Sequence, residues 1–309
     1  ESYRQILAQS DSAEAANGLA ELLYSQGSLE EAFQMFRARA ERALGPAGSS
    51  LPTPSPNPPH RAKHDREQAA HLEALLNRPG LSFYLDAGAR VPGGAVNANI
   101  PREEIQHQWQ TARPQIIVVD DLLTEEALTA LRRFCETSTI WQKTYNAGYL
   151  GTTPESGFAC PLLAQIAEEF PRRLPEVFRA HPLKYLWAFK YDSRLAGINI
   201  HADFAAVNVN FWITPDEANL DPGSGGLVVW DKAAPLDWDF DKYNTDESAI
   251  RRFLIEAGAK PVTIPYRANR AVIFDSDLFH ETDRLSFKEG YQNRRINVTL
   301  LYGEREKRA

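Results

Sequence analysis

Between residues 186 and 302 the chain consists mainly of short segments rich in Val, Ile, Phe, Tyr and Trp, and this run restricts the available folds more than any other feature. Turn-like stretches such as "DPGSGG" and "YRAN" separate the segments. Short strands at regular spacing are typical of a β-sandwich or a β-barrel. One helical insert, predicted at about 246–257, interrupts them. We therefore expect a mainly β domain, entered through a strand at 116–119 and helices at about 125–137 and 161–178.

A small α-helical region is predicted before that domain. Residues 1–48 contain two segments with apolar residues at three- and four-residue spacing, which indicates a pair of helices. The turn at Gly27 and the positions of Ala32, Phe36 and Pro46 resemble one tetratricopeptide repeat, with a plain helical hairpin as the alternative. Because about three repeats are needed to bury a repeat face, either further repeats precede Glu1 or the pair docks on the rest of the chain.

Three further segments complete the predicted organisation. Residues 49–62 are rich in Pro and predict a semi-rigid linker. Residues 63–112 predict a helical connector, whose first helix ends at Pro79-Gly80. His64 and His71 fall on one face of that helix, and without a third partner we expect a surface role for both. Residues 113–309 form the mainly β domain.

Composition limits the partners of the chain. A net charge of −7 and a pI near 5.6 are a poor match for a phosphate backbone, so no nucleic-acid partner is expected. No apolar run approaches the roughly 18 residues of a membrane helix, so no membrane association is expected. Cys135 and Cys160 are too few for a disulfide framework, which favours a reducing, cytoplasmic location.

His201 and Asp203 lie two positions apart in a predicted strand at 197–204. Alternate residues of a strand point to the same face, so this imidazole and this carboxylate can aim at one point. Of the other histidines, only His280 lies among the predicted strands, after the apolar run "RAVIF". Two imidazoles and one carboxylate leave three positions of an octahedral ion open, the arrangement of non-haem iron(II) oxygenases. A lone His-x-Asp pair is more often structural, so the assignment depends on the surrounding residues.

Those surroundings resemble a known family. Residues 186–302 resemble the double-stranded β-helix core (jelly-roll or cupin-like) of the iron(II)- and 2-oxoglutarate-dependent dioxygenases, closest to the prolyl-hydroxylase-like branch. The residues that carry the resemblance are Tyr191 in "KYD", "HAD" at 201–203, "GGL" at 225–227, "NRAVIFDSDLFH" ending at His280, and "RRINVT" at 294–299. One departure is Asn269 where Gly is usual, although Asn tolerates a left-handed turn nearly as well.

The resemblance implies a β catalytic domain with flanking helices and a set of ligands. It implies that His201, Asp203 and His280 hold Fe(II) as the catalytic centre, with 2-oxoglutarate as cosubstrate and O₂ as oxidant. The implied reaction is hydroxylation of an unactivated C–H bond. Asp203 favours that outcome, because related halogenases carry a small residue at this position.

Arg294 and Arg295 compete for the carboxylate of the cosubstrate. Strand alternation places Arg295, Asn297 and Thr299 on one face and Arg294 with apolar residues on the other, which favours Arg295. A bidentate guanidinium–carboxylate pair would orient 2-oxoglutarate and offset the burial of its charge. Tyr191 either donates a hydrogen bond to the same ligand or is a core tyrosine.

The substrate is less constrained by the sequence. Asn208, Asn210 and Trp212 share a strand face and, with Trp238, are candidates for a substrate pocket, while polar filling of the barrel is the alternative for the asparagines. The acidic segment 231–247 is either a lid over the site or a surface insert.

Three functions are compatible with these residues. The first is a hydroxylase of a peptide or protein side chain, favoured because tetratricopeptide arrays bind extended peptides. The second is an oxygenase of a small metabolite, with the N-terminal helices as a homo-oligomerisation or docking module. The third is a non-enzymatic scaffold. A nucleic-acid demethylase is disfavoured, because its second arginine would fall at Leu301.

Overall fold

The computed structural model describes residues 2–9, 12–44, 58–178, 181–193 and 197–305. Within these residues the helices are α1 (Ser2–Gln9), α2 (Ala13–Ser25), α3 (Leu29–Leu44), α4 (Pro59–Leu76), α5 (Arg102–Thr111), α6 (Glu125–Thr137), α7 (Pro161–Arg173), α8 (Pro175–Phe178), α9 (Phe240–Asn244) and α10 (Glu247–Glu256). The strands are β1 (Ile116–Val119), β2 (Lys143–Thr144), β3 (Tyr149–Thr152), β4 (Leu183–Tyr191), β5 (Val207–Trp212), β6 (Leu227–Ala233), β7 (Pro261–Ile264), β8 (Ala271–Asp275), β9 (Leu278–Thr282) and β10 (Ile296–Tyr302). Among the described helices, none has both the length and the apolar character that crossing a membrane requires.

Two antiparallel sheets form the β domain. The larger has the strand order β1-β8-β5-β10-β4-β3-β2, and the smaller has the order β7-β6-β9. Trp212 and Phe274 of the large sheet pack against Leu227, Val229 and Ile264 of the small one, so the two sheets share a core. The opposite face of the large sheet packs against helices. The predicted fold, a double-stranded β-helix core with flanking helices, is confirmed.

The strand predicted at 197–204 is wrong. Only one antiparallel bridge forms there, between His201 and His280. The next residue, Ala202, donates its N–H to the carbonyl oxygen of Tyr243 and accepts from the side chain of Asn244. The ladder with β9 ends at this bridge because the N–H of Asp203 bonds to the carbonyl oxygen of Ser276, and the N–H of Thr282 bonds to that of Ile198, both out of register with the His201–His280 pair.

The N-terminal helices pack into the main core. Phe33 and Phe36 of α3 are buried in the same apolar cluster as the helices behind the large sheet. Arg37 donates to the carbonyl oxygens of Leu85 and Asp86 at 2.7 and 2.6 Å. The apolar face of α2 and α3 is therefore covered by the rest of the chain, which is the docking alternative stated for residues 1–48.

Helix α4 begins inside the predicted linker 49–62, of which residues 49–57 lie outside the described part of the chain. It starts at Pro59 because proline, which lacks an N–H, is compatible with the first helical position. The surface role predicted for His64 is wrong: its side chain is fully buried, and burial lowers its pKa to about 3. His71 is half-buried, with its ring centroid 5.1 Å from that of Tyr291.

Candidate metal centre and its cavity

Three side chains from distant parts of the sequence meet at one end of a cavity. One ligand atom from each of His201, Asp203 and His280 lies within 4.8 Å of the others. His201 Nε2 is 3.8 Å from Asp203 Oδ1, and His280 Nε2 is 3.4 Å from Asp203 Oδ2. The bridge between His201 and His280 brings the two imidazoles together, with ring centroids 4.3 Å apart.

Both imidazoles are oriented by the backbone. His201 Nδ1 lies 2.8 Å from the carbonyl oxygen of Asn199, and His280 Nδ1 lies 3.0 Å from that of Leu278. A carbonyl oxygen can only accept, so each Nδ1 carries the proton and each Nε2 presents its lone pair towards Asp203. This second hydrogen bond is the usual way in which metal-binding histidines are held.

The protonation states suit a cation. Burial, with the neighbouring His280, lowers the pKa of His201 to about 4, so this imidazole is neutral at neutral pH. Burial opposes the ionisation of Asp203, but the adjacent imidazoles of His280 and His201 and the amide of Asn208 hold its pKa below the usual value. The Asn208 amide donates to Asp203 Oδ2 at 2.8 Å. Two imidazole nitrogens and one carboxylate therefore point towards a common position.

Arg295 lies in the interior on the side of Gly225. It precedes β10 and donates to the carbonyl oxygens of Gly225 and Gly226 at 2.7 and 3.1 Å, and to Asn297 Oδ1 at 3.2 Å. Its Cζ lies 4.8 Å from the ring centroid of Tyr191. The side chain is 2% exposed, and no carboxylate of the described residues forms an ion pair with it. A buried guanidinium without a carboxylate partner favours the binding of an anionic ligand.

Arg294 points to the opposite side of the sheet. Its Nη2 lies 2.8 Å from Glu67 Oε2 on α4 and 3.2 Å from Asp192 Oδ2. The structure thus separates the two adjacent arginines as strand alternation predicts, with Arg295 facing the cavity and Arg294 facing a helix.

The cavity has a volume of about 530 Å³ and contains most of the predicted site residues. Those that line it are His201, Asp203, His280, Arg295, Tyr191, Asn297, Thr299 and Asn210. Thr299 accepts hydrogen bonds from the amides of Asn210 and Asn297 at 3.1 and 3.3 Å. This volume is within the range of roughly 300–1,000 Å³ typical of small-molecule sites.

Three predicted pocket residues do not line this cavity. Asn208 is fully buried and holds Asp203 instead. Trp212 is also fully buried, because its ring packs against Tyr266 in the core between the sheets. Trp238 lines a separate neighbouring cavity, with its ring against Phe253. Asn208 and Trp212 share a strand face with Asn210, but this does not place them in the cavity, because side chains fill the barrel interior along much of each strand.

Several lining residues were missed by the sequence reasoning. Lys143 and Tyr145 come from β2 and its turn, and Trp187 and Phe189 come from β4. Strand alternation from Tyr191 could have identified the two β4 residues, since positions 187, 189 and 191 share a face. The segment 231–247, left open between a lid and a surface insert, contributes several lining residues: Phe240, Asn244, Thr245 and Glu247.

The donor set fits a divalent metal with open coordination positions. Two imidazole nitrogens and one carboxylate on one side of a site match the facial arrangement that Fe(II) takes in oxygenases. One buried polar atom of the cavity lining, Asn210 Oδ1, also lacks a partner among the described residues. Such atoms are costly to bury unless a ligand or water satisfies them.

Comparison with known proteins gives similarity only at the level of solved structures. No protein-family profile matches the chain, and no curated protein sequence matches it. The non-heme α-ketoglutarate-dependent carbocyclase SnoK from nogalamycin biosynthesis is 11% identical, with a TM-score of 0.48 over 69% of this chain and 87% of that chain. The epimerase SnoN from the same biosynthesis is 13% identical, with a TM-score of 0.47 over 65% and 82%. A Pseudomonas putida prolyl-4-hydroxylase is 12% identical, with a TM-score of 0.43 over 66% and 98%.

Proposed function

We propose that this protein is an iron(II)- and 2-oxoglutarate-dependent oxygenase that hydroxylates an unactivated C–H bond. One observation carries the proposal: His201, Asp203 and His280 converge in a cavity that also contains Arg295, a buried guanidinium with no carboxylate partner among the described residues. A metal-binding triad and an anion-binding arginine in one cavity meet the two requirements of this chemistry.

The residues divide into two binding sets. His201, Asp203 and His280 would hold Fe(II), and Arg295 would bind the distal carboxylate of 2-oxoglutarate. When bound, the iron and 2-oxoglutarate supply an oxidant strong enough to remove hydrogen from carbon, with O₂ consumed and succinate and CO₂ released. The chain itself supplies ligation, orientation and exclusion of water.

The orientation of the cosubstrate would come from Arg295 and its neighbours. The carbonyl oxygens of Gly225 and Gly226 hold the guanidinium in place before any ligand arrives. Tyr191 packs against it, and the hydroxyl groups of Tyr191 and Thr299 are available at the same end of the cavity. A preorganised cation of this kind binds a carboxylate without the entropic cost of ordering its own side chain.

Two substrate classes are open, and the fold bears on the choice. Hydroxylation of a peptide or protein side chain, which the sequence favours, is supported by the tetratricopeptide-like pattern of residues 1–48. Against it, α2 and α3 bury their apolar face in the main core, and a repeat array would need a free concave face to bind a peptide. The covered face supports the alternative, an oxygenase of a small molecule with the N-terminal helices as a structural module.

The direct test is succinate release by purified protein supplied with Fe(II), ascorbate and 2-oxoglutarate. We expect slow turnover without substrate, abolished in His201→Ala because one nitrogen ligand is lost. His107→Ala, an exposed histidine on α5, is the matched control and should retain the wild-type rate. Equal succinate release by His201→Ala and wild type would refute the assignment, as would the absence of both metal binding and turnover in wild type.

A further inference from the structure

The part of the cavity beyond the metal-binding triad has an aromatic wall. Six aromatic side chains line it: Tyr145, Tyr149, Trp187, Phe189, Phe204 and Phe240. The wall is formed by the β2–β3 hairpin and β4 on one side, and by the segment after Asp203 together with α9 on the other.

The rings on the hairpin side are packed into a fixed arrangement. Tyr145 and Tyr149 are stacked, with centroids 4.5 Å apart. Phe189 meets both rings edge-on, with centroid distances of 5.6 and 5.2 Å. The ring centroids of Phe189 and Trp187, both on β4, are 6.3 Å apart. Trp187 and Phe189 remain half-buried, so part of each ring faces the cavity. Aromatic surface left open inside a cavity favours a flat apolar partner, which can stack or meet a ring edge-on.

The charge at this wall is positive. Lys143 Nζ lies 5.1 Å from the ring centroid of Tyr145, and no carboxylate of the described residues pairs with it. Of the acidic side chains in the cavity lining, Asp203 belongs to the metal-binding triad, and Glu247 is paired with Arg251 at 2.8 Å. The available charge for a substrate is therefore that of a lysine, although the whole chain carries −7.

From these contacts we infer that the substrate is a small molecule with a planar ring system and an anionic substituent. The ring stacks against Trp187 and Phe189, and the anionic group is paired with Lys143. The inference rests on the proposed oxygenase function and narrows its substrate class, because an aliphatic chain would not use the flat wall and a cationic side chain would be repelled by Lys143.

The test uses the full chain loaded with Zn(II) and 2-oxoglutarate, and naphthalene-2-carboxylate as the probe, titrated by calorimetry or ligand-observed NMR. Its neutral amide should bind roughly fivefold more weakly, as for loss of one partly exposed ion pair. Octanoate, which has the charge without the ring, should also bind more weakly. Trp187→Leu should weaken naphthalene-2-carboxylate about tenfold, the scale of one aromatic contact.

Lys143→Gln separates the charge from the ring. It should reduce binding of the carboxylate to the level of the amide and leave amide binding unchanged. Lys260→Gln, an exposed lysine before β7, is the matched control and should change neither. Circular dichroism of each variant establishes that the fold is retained.

Several outcomes would overturn the inference. They are octanoate binding as tightly as naphthalene-2-carboxylate, no effect of Lys143→Gln or Trp187→Leu, or tighter binding of an extended Gly-Pro peptide than of the ring probe. Failure of the oxygenase function is measured separately, by titrating 2-oxoglutarate with and without metal. If 2-oxoglutarate does not bind but the ring probe does, the oxygenase assignment is refuted while the aromatic binding site is retained.

Discussion

In the proposed function, Arg295 is the residue on which binding of 2-oxoglutarate depends most strongly. Its guanidinium is fixed by two glycine carbonyl oxygens and by Asn297. Gly226 has no side chain, which lets its backbone pack against the end of β7: a Cβ there would lie 1.9 Å from the carbonyl oxygen of Ile264. The glycine pair quoted from the sequence thus serves to hold an arginine.

Arg295→Lys should therefore impair 2-oxoglutarate binding although the charge is kept. A lysine cannot reproduce the planar fork that bonds both a carboxylate and the backbone. We expect the dissociation constant for 2-oxoglutarate to rise by roughly 30-fold or more, as when one partner of a buried charge pair is lost. Calorimetric titration of the metal-loaded protein measures it, and Arg284→Lys at an exposed position should behave as wild type.

His64 makes stability depend on pH. Burial lowers its folded pKa to about 3, well below the ordinary histidine value of 6.5. Between these values the unfolded chain binds the extra proton, so stability is present above pH 6.5 and is lost as pH falls towards 3. The expected slope is about 1.4 kcal/mol per pH unit for one proton.

Urea unfolding at pH 7 and pH 5 tests this dependence. His64→Gln should reduce the decrease in the free energy of unfolding from pH 7 to pH 5, because a group that titrates only in the unfolded chain is removed. His107→Gln, at an exposed position, should leave the loss unchanged. An equally steep loss in His64→Gln would assign the dependence to other groups.

At the scale of elements, α4 packs behind the strands that carry the proposed cosubstrate site. Lys63 lies 3.2 Å from Asp192, and Glu67 lies 2.8 Å from Arg294. Asp192 and Arg294 are the sequence neighbours of Tyr191 and Arg295, whose side chains point into the cavity on the other side of the sheet. The helix therefore contacts the face of the sheet opposite the cavity, through the residues adjacent in sequence to Tyr191 and Arg295.

Glu67→Gln should weaken both stability and cosubstrate binding. Arg294 is 4% exposed and would lose one of its two carboxylate partners. We expect a loss of roughly 1.5–3 kcal/mol in the free energy of unfolding, as for a hydrogen bond to a charged group. We also expect a higher KM for 2-oxoglutarate with kcat nearly unchanged. Glu73→Gln, exposed on the same helix, should alter neither quantity, and an unchanged KM in Glu67→Gln would limit α4 to a stabilising role.

Predictions from the sequence were most accurate for elements with strong local signals. Helix α6 was expected at 125–137 and lies at Glu125–Thr137, because Thr124 accepts from the N–H of Ala127 as an N-cap. The helix expected at 161–178 is instead divided at Leu174 into α7 and α8. Pro175 explains the break, since the residue before a proline is disfavoured in the helical conformation.

At the scale of the whole molecule, the N-terminal helices are part of the core. Leu19, Leu23, Phe33 and Phe36 belong to one apolar cluster with the helices behind the large sheet. A helical hairpin that ends in the core stabilises the domain rather than acting as a separate module.

Phe36→Ala should therefore destabilise the entire protein in one transition. The expected loss is about 3–5 kcal/mol, the range for truncating a buried phenylalanine. Thermal unfolding followed by circular dichroism measures it, and Tyr3→Ala, at a side chain that is 39% exposed, is the control. A separate early transition, with the β domain unaffected, would show instead that the hairpin unfolds independently.

The sequence by itself determined which residues could do chemistry: the two histidines, the aspartate and the arginine stand out because their types and order are unusual among apolar strands. It also determined which of the adjacent arginines faces inward, since alternation along a strand is a local property. Only the tertiary structure decided that His201 meets His280 through a single bridge, that Trp212 is core and Trp238 lies in another cavity, and that an aromatic wall with Lys143 completes the site. The reason is physical: these outcomes depend on which distant segments compete for the same backbone hydrogen bonds and the same buried volume, and no local pattern encodes that competition.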